Sequence, residues 1–398
     1  MTTILYIFNN LLIIIALIIS LNGCAHNTNS IDADESLTAL NLPETPFDYS
    51  TDLPDHFLTN DGGPLPTRIT DHDNLPSSNP ITDEGATLGR VLFYDVNLSL
   101  NRTISCGSCH NSANAFSDEK ILSKGFDGGE TRRHSMSLLF ARYYDRGRFF
   151  WDERAETLED QVLMPIQDEV EMGLTYDQIK ERIEEQIYYS DLFQSAFGSS
   201  EITQEKAADA LAQFVRSMVA VNAKYDEGRS QVNRIGQNFS NFTDEENLGK
   251  QLFIRPIING GGACFGCHTT EAFINPSPGA TNNGLDAVSG DDLGTFEAIP
   301  DNRFEAAFKV PSLRNIAESA PYMHDGRFEL LKEVVEHYNT GIQPHPNLAP
   351  ALTADDGSPV RLNMTDSEVD AIVAFLETLT DETIKTDERW SNPFEVIE

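Results

Sequence analysis

Apolar residues return at helical spacing in two stretches of the chain, and each stretch has a shorter partner upstream. Between Gln204 and Val221, the residues Ala208, Leu211, Ala212, Val215 and Met218 share one face. Between Asp366 and Leu379, Val369, Ile372, Val373 and Leu376 do the same. Upstream of the first, Thr82-Asp83-Glu84 precedes Leu88-Gly89-Arg90-Val91-Leu92-Phe93; upstream of the second, Thr243-Asp244-Glu245-Glu246 precedes Leu248-Gly249-Lys250-Gln251-Leu252-Phe253. A Thr followed by acidic residues and an apolar run predicts a helix start, with Thr82 as N-cap of the first. The chain thus reads as an internal repeat of opening helix, loop and closing helix. Strand signals are sparse, so the predicted fold is mainly α.

The loops carry the chemistry. Cys106-Gly107-Ser108-Cys109-His110 begins eighteen residues after Leu88, and Cys264-Phe265-Gly266-Cys267-His268 begins sixteen after Leu248. A Cys-x-x-Cys-His run is the covalent attachment site of a c-type haem. Each thiol adds across a vinyl group, and the adjacent imidazole becomes an axial iron ligand. A zinc site or a redox dithiol needs no His fixed directly after the second Cys. The expectation is two covalently bound c-type haems in two cytochrome-c-like domains related by the repeat, residues 81–228 and 229–398. The boundary falls near Tyr225 to Asn241, which contains Gly, Asn and Ser.

Residues 25–80, rich in Asp, Asn, Thr and Pro, read as a tether followed by an extended arm lying on the body. Ahead of them, Ile4 to Leu21 is an apolar run of secretory type ending in Leu21-Asn22-Gly23-Cys24. That ending resembles the lipobox of bacterial lipoproteins, so residues 1–24 read as a signal peptide with Cys24 as the lipid anchor. A membrane-spanning anchor is the alternative. Either way the body is exported, as c-type haem attachment requires, and the expected location is the periplasm. Four of the five Cys belong to haem sites and none is left for a disulfide. A net charge of −35 argues against a nucleic-acid partner, whose phosphates would be repelled. It suits attraction of a basic redox protein, or simply a solvated surface.

Further motifs bring a family into view: Arg148-Phe149-Phe150-Trp151-Asp152-Glu153-Arg154-Ala155, then Gln161, Pro165, Glu171 and Met172, then Phe308-Lys309-Val310-Pro311-Ser312-Leu313-Arg314-Asn315 and Ala320-Pro321-Tyr322-Met323-His324-Asp325-Gly326. With Leu92-Phe93-Tyr94-Asp95 and two haem motifs, the chain resembles the bacterial dihaem cytochrome c peroxidase/MauG superfamily from about Leu75 to Asp381. The resemblance implies an N-terminal haem that handles hydrogen peroxide and a C-terminal haem that relays electrons from a small cytochrome or cupredoxin. It also implies a calcium ion between the domains. Lys309 and Pro311 would offer backbone carbonyls to it, whereas His134 stands where the family has an Asn ligand. A homodimer is compatible with the sequence, which does not specify one.

Site residues follow from that register. Glu171 matches the family's catalytic Glu, although the acidic run Asp168-Glu169-Val170-Glu171 taken alone reads as surface. Peroxide cleavage needs a base that takes a proton from one oxygen and returns it to the other, and a carboxylate in a dry cavity serves. Gln161 would hold peroxide by hydrogen bonds, with Pro165 breaking the helix between it and Glu171. Trp151 matches the family's inter-haem tryptophan, its plain alternative being core packing; Trp390 lies outside the motifs. Many dihaem peroxidases place a distal His between the first haem motif and Arg132-Arg133-His134-Ser135, but no His lies between His110 and His134. An open first haem is expected, with His110 as its protein ligand. For the second haem, ligated by His268, the register puts Tyr338 at the distal position, with His337, Met323 and Met364 as alternatives. Adjacent helical residues point ~100° apart, so His337 and Tyr338 cannot both face one iron. Three activities fit: peroxide reduction, MauG-like oxidation of residues on a partner protein, or electron transfer alone.

Overall fold

In the computed structural model, which describes residues 38–144, 146–274 and 279–396, the opening and closing helices pack as two matching pairs. The first pair is Asp83–Tyr94 with Gln204–Arg216, and the second is Asp244–Ile254 with Asp366–Glu377. Each starts on a Thr cap. Thr82 Oγ1 accepts from the Gly85 N–H at 3.0 Å, and Thr243 and Glu246 form a reciprocal capping box. Gly89 sits against the Ala210 carbonyl and Phe214, and Gly249 against the Ala371 carbonyl and Phe375. In both pairs the missing Cβ lets two helix backbones approach where an Ala-x-x-x-Phe step faces them.

The closing helices end earlier than their apolar pattern predicts, at Arg216 rather than Val221 and at Glu377 rather than Leu379. The cause is the same twice. Ser217 Oγ and Thr378 Oγ1 each donate to the carbonyl three residues back, that of Phe214 or Phe375. The next carbonyls, of Met218 and Leu379, accept N–H groups from Phe140 and Asn315, left-handed residues of the loops that follow each haem motif. Tertiary hydrogen bonds therefore replace the last helical turn.

Residues 39–395 form one compact unit. Its buried apolar side chains make two clusters, one around Phe93, Phe116 and Phe214 and one around Phe253, Phe273 and Phe375. The arm does more than lie on the surface, since Tyr49, Phe57 and Ile69 are fully buried in the first cluster. Isolated apolar residues in a polar stretch carry no periodicity, so the pattern does not announce them. The segment 225–241 is likewise packed: Tyr225 is fully buried and its hydroxyl donates to Glu271. The chain's end returns to the beginning. Ile384 and Trp390 join the first cluster, and strand Phe394–Val396 pairs with Thr38–Leu40. Among the described residues this is the one sheet, and the fold is mainly helical. Cys24 and the apolar run before it lie outside the described residues; among those described, no helix is long and apolar enough to cross a membrane.

Candidate active site

Both Cys-x-x-Cys-His runs form one tight turn at the wall of a cavity. Cys106–Cys109 is a single helical turn, with Ser108 Oγ accepting from the Ser105 N–H, and Cys264–Gly266 is a 3-10 turn. All four cysteines are free and half-exposed. His110 Nδ1 faces the Phe116 carbonyl at 2.8 Å, and His268 Nδ1 faces that of Phe273 at 3.3 Å. A ring that donates its Nδ1–H to a carbonyl is fixed in the tautomer whose Nε2 lone pair is free for a metal. Burial lowers the pKa of both imidazoles, that of His268 to about 4. The donor set suits covalent haem at both places: paired thiols, an oriented imidazole and an adjoining cavity.

The two sites share more of their plan than the sequence motifs disclose. Ser137 Oγ donates to the Ala115 carbonyl and Ser312 Oγ to the Ala272 carbonyl, each at 2.6 Å, just ahead of the phenylalanine that orients the histidine. Pro311, expected to offer a carbonyl to calcium, lines the second cavity. Lys309 is buried with Nζ 4.0 Å from the Tyr144 ring centroid, and burial pulls its ammonium down to about 8. His134 is buried, with Nε2 3.0 Å from Ser117 Oγ. Among the described residues no group of three or more His, Cys, Asp or Glu side chains is arranged to hold a metal ion.

The first cavity is small, about 60 Å³, and partly open to solvent. Cys106, Cys109, His110, Gln161, Pro165 and Glu171 all line it, so the structure brings the expected residues together. His110 is the one histidine among its lining residues. Gln161 ends the short helix Leu158–Gln161, and a second, Met164–Gln167, follows with Pro165 in its first turn. Glu171 follows four residues after the second of these helices. Its backbone is held on both sides: the N–H donates to Asp168 Oδ1 at 3.1 Å, and the carbonyl accepts from Phe126 N–H at 2.9 Å. No described residue hydrogen-bonds its carboxyl, which burial, with Asp168 nearby, pushes up to about 7. It is near enough to Cys106 to add to the burial that pushes that thiol up to about 12.

The second cavity is larger, about 230 Å³, and reaches from Cys264, Cys267 and His268 to Trp151. Tyr338 and Met323 line it, whereas His337 and Met364 do not. His337 Nε2 is taken up by the Asn283 carbonyl at 3.0 Å. Burial raises the Tyr338 phenol to about 12, opposed by a hydrogen bond from Asn283. Sequence reasoning missed Asn283, because an Asn in a loop carries no local signal of what it reaches.

Trp151 stands at the tip of a loop closed by the Phe149–Ala155 bridge, with Phe150 and Glu153 in the left-handed region. Its indole N–H donates to the His134 carbonyl at 2.8 Å, and its own carbonyl accepts from the Lys309 N–H. His134 itself lies in the loop that contacts the first site, so Trp151 links the loops of both repeats.

A family model described as di-haem cytochrome c peroxidase matches residues 83–232. The methylamine utilization protein MauG of Methylorubrum extorquens is 34% identical over 310 residues, covering 76% of this chain and 80% of its own. The cytochrome c551 peroxidase of Nitrosomonas europaea is 29% identical, covering 76% and 81%. Among solved structures, a MauG-like protein associated with microbial copper homeostasis superposes with a TM-score of 0.69 at 30% identity, over 87% of this chain and 99% of that one. Matched helix pairs, twin haem-attachment turns and these likenesses agree, and the chain belongs to the di-haem cytochrome c peroxidase/MauG family.

Proposed function

We propose that the protein is an exported di-haem peroxidase that reduces hydrogen peroxide to water with electrons from a small cytochrome or cupredoxin. The observation that carries this reading is the Glu171 carboxyl in the cavity of Cys106, Cys109 and His110, raised to about 7 by burial and hydrogen-bonded by no described residue. Those three residues would hold the first haem, and Cys264, Cys267, His268 and Tyr338 the second. Haem at the first site supplies the two-electron reduction that splits the oxygen–oxygen bond. Glu171 takes a proton from one peroxide oxygen and delivers it to the departing one, while Gln161 orients the substrate. Two electrons and two further protons complete the conversion of one peroxide to two waters. The half-buried Trp151 offers an oxidisable ring between the two sites, with its N–H fixed on a carbonyl that cannot accept the proton. A pure electron carrier would have no use for an acid–base group in such a cavity.

In this reading residues 81–228 serve peroxide and residues 229–398 serve electron entry, with Cys24 as the lipid tether in the periplasm. Its test is to mix the protein with a reduced small cytochrome and peroxide. Rapid cytochrome oxidation that requires both reactants is expected, and its absence with several basic donors would refute the reading. A second reading, MauG-like oxidation of a partner protein, is favoured by Tyr338 in the second cavity and by the 34% identity to MauG. It predicts instead a peroxide-oxidised state that persists until a protein substrate is added.

A further inference from the structure

Besides His268, the lining of the second cavity includes two side chains with the chemistry to bind iron. Tyr338 and Met323 both line it, and both are reached by one amide group. Asn283 Nδ2 lies 3.2 Å from Tyr338 Oη and 3.7 Å from Met323 Sδ. An amide nitrogen has two N–H donors, so it can serve both atoms or favour one. The amide sits on an anchored segment, because the Asn283 carbonyl accepts from His337 Nε2 at 3.0 Å.

We propose that Tyr338 and Met323 are alternative ligands of the second haem, exchanged with the oxidation state of its iron and steered by the Asn283 amide. This rests on the reading that Cys264, Cys267 and His268 hold that haem with Tyr338 facing its far side. The chemistry separates the two donors: a phenolate is hard and anionic and suits ferric iron, while a thioether is soft and neutral and suits ferrous iron. On one-electron reduction by the donor protein, the iron–oxygen bond to Tyr338 breaks and the phenolate takes one proton from water. The iron–sulfur bond to Met323 then forms. Reoxidation reverses each step.

Two features of the backbone fit an exchange. Met323 has φ +75, a left-handed conformation that side-chain-bearing residues adopt at a cost and that gathers at functional sites. Tyr338 lies in a π-helical turn, His337–Gly341, a wider winding than the α-helix Leu331–Glu336 before it. Such turns recur where a helix must present a side chain to a site. His337 and Met364, which have the right chemistry, do not line the cavity.

The test uses the haem-loaded protein and its spectra. Ferric wild type should lack the near-infrared sulfur-to-iron band; Tyr338→Phe should gain it, and Tyr338→Phe/Met323→Leu should lose it again. In the reduced state, carbon monoxide should bind at the first haem alone in wild type and at both haems in Met323→Leu. A Tyr338→Phe protein without the sulfur band, or a Met323→Leu protein whose reduced spectrum and carbon monoxide binding match wild type, overturns the exchange. A sulfur band already present in ferric wild type would instead remove Tyr338 as resting ligand, which is the failure of the underlying reading.

Discussion

Gly249 lies so close to the Ala371 carbonyl that one added carbon would overlap it, and Gly89 meets Ala210 in the same way. Each glycine sets the separation of an opening and a closing helix, and so the position of the haem-attachment turn that follows. Helix propensity alone favours Ala over Gly by about 1 kcal/mol. Overpacking costs about 1–3 kcal/mol, more when the obstacle is backbone. Gly249→Ala and Gly89→Ala should therefore lower stability in chemical denaturation. Gly290→Ala, where nothing lies within 4 Å, should leave it unchanged.

Arg314 holds a buried charge network together beside the second site. It pairs with both oxygens of Asp226 at 2.9 Å and donates to the Glu271 carbonyl, while Glu271 pairs with Arg229 and Asp226 with His56. All of these side chains are buried. Removing one partner leaves an uncompensated charge, a loss of about 3–5 kcal/mol. Arg314→Leu should show that loss in urea unfolding, and Asp226→Asn, which leaves the buried Arg314 charge without its carboxylate, a comparable one.

Trp390 is buried in the first core although it lies far from it in sequence. Its carbonyl accepts from the Tyr94 hydroxyl at 2.6 Å, and Tyr94 packs on Gly107 between the first pair of haem cysteines. Trp390→Ala should cost about 3–5 kcal/mol as a large-to-small core change. Thermal unfolding followed separately at each haem should find the first site loosened before the second.

Trp151 spans the two repeats through the His134 carbonyl and the Lys309 N–H. Trp151→Phe keeps an aromatic ring, though a smaller one, while losing the N–H and the low oxidation potential of indole. Electron delivery from the second site to the first, timed by flash reduction, should slow. The resting spectra of both haems should stay as in wild type.

Local pattern disclosed what local physics decides. The Thr82 and Thr243 caps, the opening helices and both Cys-x-x-Cys-His turns are short-range features, and they stand where the spacing predicts. Gln161 and Glu171, read from the family register, line one cavity. What escaped depends on distant residues. The helix Gln204–Arg216 stops early because Phe140 takes the Met218 carbonyl. His56 was hidden in a polar arm until Asp226 gave it a partner. Asn283 has a role only through Tyr338 and Met323, 55 and 40 residues away. The second repeat of serine contacts, Ser137 and Ser312, lies in loops without periodicity.

Glu171 carries the account, and its proton decides the outcome. The base must be ionised to accept a proton from peroxide, so peroxide reactivity should be present above about 7 and fall away as pH drops through that value. The most direct measurement is the stopped-flow rate constant for ferric protein with hydrogen peroxide, across pH, in wild type and Glu171→Gln. Wild type should react without prior reduction, along that pH limb, and Glu171→Gln should be slower by about 10²–10⁴ with the limb abolished. A Glu171→Gln protein that reacts as fast as wild type, or a wild type inert until it is reduced, would contradict the account.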